Sequence, residues 1–269
     1  MDWKIGCFTS PWASFGIDRA LDGIKSAGFE YVGLGSSNEG DEFQSVGGGQ
    51  DGAREIQIKL DALSLKPVIL YANWTGETGV EDFKKRIDQA QLLEIGLLLT
   101  DGTPTESDPE EAASLEAQFL SRMSQILPYA EENNVKILLK SHTGNTAHGP
   151  VLRATLSKVG SRWMESCYDP GTVRFLQGLS PEVDILHVLP HLGALCATDH
   201  RGQKGEEDFP VPGQGSVDFV RILRLLKMNR FSGPVMVERL HGTQSRGEEE
   251  IDELAVQAHD FLQGAVDAL

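Results

Sequence analysis

The sequence predicts an α/β protein folded as one closed (β/α)8 barrel, and three observations carry that prediction. Short runs rich in Val, Ile and Leu alternate with longer stretches of helical period, the pattern of parallel strands buried on both faces and joined by crossover helices. Eight such runs occur, which invites closure of the sheet on itself. The length, 269 residues, is close to the roughly 250 that eight strand–helix units require, so a single domain over 1–269 is expected.

Taken in order, the first strand is expected at Lys4–Phe8, and a helix follows in which Ile17, Leu21 and Ile24 recur at helical spacing. The second strand is Tyr31–Leu34, after which a long glycine-bearing connection runs from Gly35 to Gly52. Pro67–Tyr71 and Ile95–Thr100 form the third and fourth, and the connection from Asp101 ends where Glu110 and Glu111 suit a helix start. The fifth is Val135–Lys140 and the sixth Met164–Tyr168, which leads into Asp169-Pro170-Gly171. The seventh is Gly193–Thr198, followed by a third long connection from Asp199 to Val217. The eighth is Val235–Glu238, and a last helix carries Ile251, Leu254, Ala255, Ala258, Phe261, Leu262 and Ala265 on one face. All three long connections leave the C-terminal ends of strands, where barrel enzymes keep their chemistry.

Composition removes several classes of function. Acidic residues outnumber basic ones 40 to 24, for a formal charge of −16, so the surface repels a phosphate backbone and nucleic acid is not an expected partner. Cys7, Cys167 and Cys196 are scattered and odd in number, which fits reduced cytoplasmic thiols better than a disulfide framework. No leader-like segment and no apolar run of the roughly 18 residues that would span a bilayer is found, so no membrane partner is expected.

The residues that terminate the apolar runs are the informative ones. The fifth strand ends in Lys140-Ser141-His142, the sixth in Tyr168-Asp169, the seventh in Asp199-His200-Arg201 and the eighth in Glu238-Arg239. The order of these ends resembles the sugar phosphate isomerase/epimerase family of xylose isomerase-like TIM barrels. So do Tyr168-Asp169-Pro170-Gly171, Asp199-His200-Arg201-Gly202, Pro212 through Phe219, and Gly233-Pro234 to Glu238. The resemblance covers nearly the whole chain and is strongest in its C-terminal half.

That resemblance implies an isomerase or epimerase of a small keto sugar or sugar derivative, working by proton transfer next to a carbonyl. A keto-sugar lyase or hydratase, and a sugar-binding barrel that has lost catalysis, are the alternatives; a metal-cluster endonuclease is opposed by the ligand set and the charge. The resemblance also implies one divalent metal held by Glu, Asp, His and Glu at the ends of strands five to eight. Asp169 and Glu238 match two of these positions, whereas Lys140 and Cys196 stand at the other two. His142, two residues beyond Lys140 and on the same side by strand period, offers a replacement, so that His142, Asp169 and Glu238 would suit manganese, magnesium or zinc. Two other states are open to Lys140: as an ammonium it pairs with Asp169 and Glu238 and replaces some or all of the metal's charge, or as a desolvated neutral amine it is itself a base or ligand.

Lys140, Glu238 and His200 are the catalytic candidates. Arg201, Trp12, Tyr71 and Trp74 are the substrate-binding ones, Arg for its forked donors and the aromatic residues for apolar faces toward a sugar ring. Structural roles compete with these: Asp169 suits a turn cap, Glu238 a buried ion pair with Lys140, and Cys196 a small buried hydrophobe. The partner expected is a small carbohydrate, with no organic cofactor; a homo-oligomer is compatible with the sequence.

Overall fold

The computed structural model describes residues 3–35, 50–72 and 79–269. Its eight strands are β1 (Ile5–Phe8), β2 (Tyr31–Leu34), β3 (Lys66–Tyr71), β4 (Leu97–Thr100), β5 (Lys136–Lys140), β6 (Met164–Tyr168), β7 (Leu192–Cys196) and β8 (Val235–Val237). Each pairs in parallel with the next, and β1 pairs with β8 through Ile5–Val235 and Cys7–Val237, so the sheet closes. The α-helices are α1 (Ile17–Ser26), α2 (Gln50–Leu63), α3 (Val80–Leu92), α4 (Pro109–Glu132), α5 (Gly149–Val159), α6 (Pro170–Gln177), α7 (Pro181–Asp184), α8 (Phe219–Met228) and α9 (Glu248–Asp267). The expected barrel is therefore the fold.

Five strands, β1, β3, β4, β5 and β7, begin one or two residues from the expected starts, and two differ at their C-terminal ends. β7 stops at Cys196 rather than Thr198, and β8 at Val237 rather than Glu238. Past these ends the Ala197 N–H still donates to the Met236 carbonyl, while the Glu238 carbonyl accepts from the Ser10 hydroxyl of the loop after β1.

Strand alternation divides the apolar residues into two bodies. Phe8, Ile69, Tyr71, Leu99, Leu138, Cys167, Ala194, Cys196 and Met236 fill the barrel interior. Cys7, Val32, Leu70, Leu98, Ile137, Leu195, Val235 and Val237 face outward onto the helices, whose buried stripes include Leu21 and Ile24 of α1 and Ala255, Ala258 and Leu262 of α9. Glycine makes room inside. A Cβ on Gly33 would stand 2.4 Å from the Phe8 ring, so the bulk of Phe8 on β1 requires its absence from β2.

The same alternation positions the site. Leu138 points inward, so Lys140 does too; Ala194 carries Cys196 and Met236 carries Glu238 in the same way. Polar groups thus form the layer above a closed apolar plug, at the C-terminal ends of the strands.

Candidate active site

Lys140, fully buried with 1% of its side chain exposed, reaches across the barrel and places Nζ 2.5 Å from each carboxylate oxygen of Glu238. Asp169 Oδ2 lies 3.5 Å from the same nitrogen. The Tyr71 ring stands below, its centroid 5.8 Å from Nζ, and its phenol donates to Asp101 Oδ2 at 2.8 Å. An ammonium thus sits between two acids and an aromatic face, all buried.

The electrostatics follow the distances. Burial alone would lower the Lys140 pKa, but the nearby negative charges, Glu238 foremost, outweigh it and hold the pKa above the ordinary lysine value. Burial likewise pushes Glu238 up, yet the contact with Lys140 and the charge of Arg239 carry it below the usual glutamate range. Asp169, a full ångström further from the ammonium, is raised by burial and by the charge of Glu238, against the pull of Lys140. Two carboxyls on one lysine are driven in opposite directions, Glu238 toward the base form and Asp169 toward the acid form.

Asp169 also serves locally. It is the N-cap of α6, its Oδ1 accepting from the Thr172 N–H at 2.8 Å, while Oδ2 accepts from the Thr198 hydroxyl at 3.2 Å. The Ser141 hydroxyl accepts the Asp169 N–H at 2.8 Å and fixes the strand end.

Beside Glu238 opens a cavity of about 300 Å³, lined also by Ser10, Arg239, His241, Ser245 and Arg246. Ser10 donates to the Glu238 carbonyl at 2.9 Å, tying the loop after β1 to the end of β8. The Arg239 guanidinium lies 4.5 Å over the Phe209 ring, half-buried.

The other expected site residues are placed differently. Trp12 is wholly buried in the shell between α1 and α9, its indole N–H donating to Asp252 at 2.9 Å; it does not line the cavity. His200 is buried against Phe175 and Phe209, with Nε2 bonded to the Glu206 carbonyl at 2.7 Å, an anchor for its loop rather than a group at the acids. Arg201 is 57% exposed and forks onto Asp208 at 2.8 and 3.2 Å. Trp74 lies outside the described residues.

Asp199 accepts backbone N–H bonds from His200, Gly213, Gly215 and Val217 at 2.7 to 3.1 Å, and so gathers the whole connection after β7.

His142 is half-buried; burial lowers its pKa and favours the neutral ring, but it stands outside the group of converging ligand atoms. Among the described residues that group is Asp169, Cys196 and Glu238, whose ligand atoms lie within 4.8 Å of one another. Cys196 thus takes the place expected of His142, but its sulfur rests 3.4 Å from that of Cys167, and this contact and burial hold its thiol far above the usual range. With the Asp169 oxygens engaged, Cys196 a neutral thiol and both Glu238 oxygens on Lys140, the residues do not fit a divalent ion while Lys140 is in place.

Sequence reasoning missed Arg239, Asp101 and the Cys167–Cys196 contact. Asp101 follows β4 as Asp169 follows β6, and Arg239 follows Glu238; the same attention to strand ends would have found both.

The chain belongs to the xylose isomerase-like TIM barrel family, whose model matches residues 21–264. A D-tagatose 3-epimerase-like protein superposes with a TM-score of 0.79 at 14% identity, covering 98% of this chain and 97% of that one. A xylose isomerase domain protein from Planctomyces limnophilus gives 0.77 at 17%, with 98% and 97% covered. D-allulose 3-epimerase from Methylomonas sp., in complex with D-allulose, gives 0.75 at 16%, again with 98% and 97% covered. At these identities the likeness is one of fold. No curated protein matches the chain in sequence.

Proposed function

We propose that the protein is an isomerase or epimerase of a small keto sugar or sugar derivative, moving the proton on the carbon next to the carbonyl. The observation that carries this reading is the pairing of a carboxylate and an ammonium, Glu238 with Lys140, beside a polar cavity at the C-terminal mouth of the barrel. Structures of the same fold include an epimerase holding D-allulose, which suggests the substrate class.

In this mechanism Glu238 is the base. It takes the C–H proton as negative charge develops on the substrate's carbonyl oxygen, and the Lys140 ammonium, turned from Glu238 toward that oxygen, stabilises the enediolate. Asp169, whose pKa is raised, is the group suited to return a proton. Arg239 adds positive charge at the cavity wall, which favours hydroxyl-rich or anionic sugar derivatives. Tyr71 supplies a floor to the site, and His200 and Arg201 shape the loop above it. No organic cofactor enters the scheme.

The test is proton exchange. Purified protein is incubated in D2O with D-allulose, D-tagatose, D-fructose, L-ribulose and phosphorylated ketoses, and deuterium next to the carbonyl is read by NMR. Exchange with at least one ketose, reduced by about 10²–10⁴-fold in Glu238→Gln, is expected. Loss of water from the sugar would favour a lyase or hydratase. Binding by calorimetry without exchange would favour a non-catalytic barrel.

A further inference from the structure

We infer that the Lys140 side chain is the resident cation of this site, filling the position toward which Asp169, Cys196 and Glu238 converge, so that the centre operates without a divalent metal. Three ligand atoms within 4.8 Å of one another have the spacing of a cation's shell. Nζ of Lys140 is 2.5 Å from both oxygens of one of these residues and 3.5 Å from an oxygen of another. A divalent ion seated on Glu238 at the usual distance of about 2.0–2.2 Å would fall on that nitrogen. The two cannot share the seat, because their repulsion at such a separation in a buried setting is large.

Among the described residues, Lys140 is closely held. Its stem rises from β5 inside the barrel with 1% of the side chain exposed, between the Tyr71 ring and the acids. The donors are not arranged for a metal either: Cys196 leans on Cys167, and Asp169 spends its oxygens on Thr172 and Thr198. The charge of Glu238 is already met by Lys140, and Arg239 adds a further positive charge beside it, so two more positive charges would be opposed there.

This deepens the proton-transfer reading of the site, but its test uses no substrate, so either can fail alone. Full-length wild-type protein and Lys140→Met, both stripped with chelator, are dialysed against Co2+ and analysed for metal content and visible absorption. Wild type should bind far less than one equivalent. Lys140→Met should bind one equivalent about a hundredfold more tightly, with a thiolate-to-cobalt band that Cys196→Ser removes from the same background. Stoichiometric cobalt in wild type would overturn the inference, and so would a folded Lys140→Met that binds no better. Should that variant fail to fold, wild type decides alone. With lysine Nζ labelled by 15N, the Lys140 ammonium resonance should resist broadening by added Mn2+; broadening beyond that of surface lysines would place a metal at the seat.

Discussion

Tyr71 donates its phenol to Asp101 at 2.8 Å across the ends of β3 and β4, and its ring lies under the Lys140 ammonium with 5.8 Å between centroid and nitrogen. One residue therefore carries two separable interactions. Tyr71→Phe keeps the ring and loses the hydrogen bond, for an expected cost of about 1 kcal/mol. Tyr71→Ala also empties the top of the interior, and about 3–5 kcal/mol is expected by analogy with large-to-small core changes. Urea unfolding of both variants checks the split; equal costs would mean the ring contributes nothing.

The Lys140–Glu238 pair should behave as a buried ion pair, in which removing one partner is worse than removing both. Glu238→Gln is expected to lose about 3–5 kcal/mol of stability as well as proton exchange. The double variant Lys140→Met with Glu238→Leu should recover much of the stability and none of the exchange. A double variant that adds the two single losses would contradict the contact.

Asp169 predicts a particular pH dependence. Its folded pKa lies above its unfolded value of about 3.9, so between those two values the folded state holds a proton that the unfolded chain has released. Stability contributed by this group is present at low pH and declines as pH rises through that window. Glu238 has the opposite sign: its stabilisation is present above the ordinary glutamate value and is lost as pH falls toward its depressed one. Unfolding midpoints of wild type and Asp169→Asn across mildly acidic to neutral pH isolate the first effect. The variant should lack the decline; parallel curves would mean that Asp169 is not raised.

Trp12 can be tested as a substrate contact. Its ring fills the shell so closely that a Cβ on Gly23 would stand 2.6 Å from it, and its N–H is bonded to Asp252. Trp12→Phe should cost about 1 kcal/mol, plus some packing, and leave KM for any ketose substrate unchanged. A rise in KM with unaltered stability would return Trp12 to the sugar site.

These placements show how far the sequence could be read. Strands buried on both faces declare themselves as apolar runs, and the period of two then decides which terminal residues point inward, so Lys140 and Glu238 were legible. Asp169 was legible as the next residue past a strand end. The alternation ends with the strand, however. Beyond it the directions of His142, His200 and Arg201 depend on loop bonds to Thr146, Glu206 and Asp208, which no local pattern encodes. Trp12 lies in a short 3-10 turn, Ser10–Trp12, past the end of β1, where the strand period no longer says which way a side chain points, and it is buried in the shell. The nearness of Cys196 to Cys167 depends on the register between two strands, which no local pattern encodes.

The four N–H groups gathered by Asp199 have a consequence for how this protein can change. Because the path of the connection is stitched at His200, Gly213, Gly215 and Val217, the exposed stretch from Gln203 to Glu207 hangs from a fixed frame. Exchanges of side chain there leave the frame standing, whereas a single loss at Asp199 frees four backbone groups at once. The rim of the barrel can thus change by drift at its edge, with one carboxylate acting as the clasp that keeps such drift from reaching the strands.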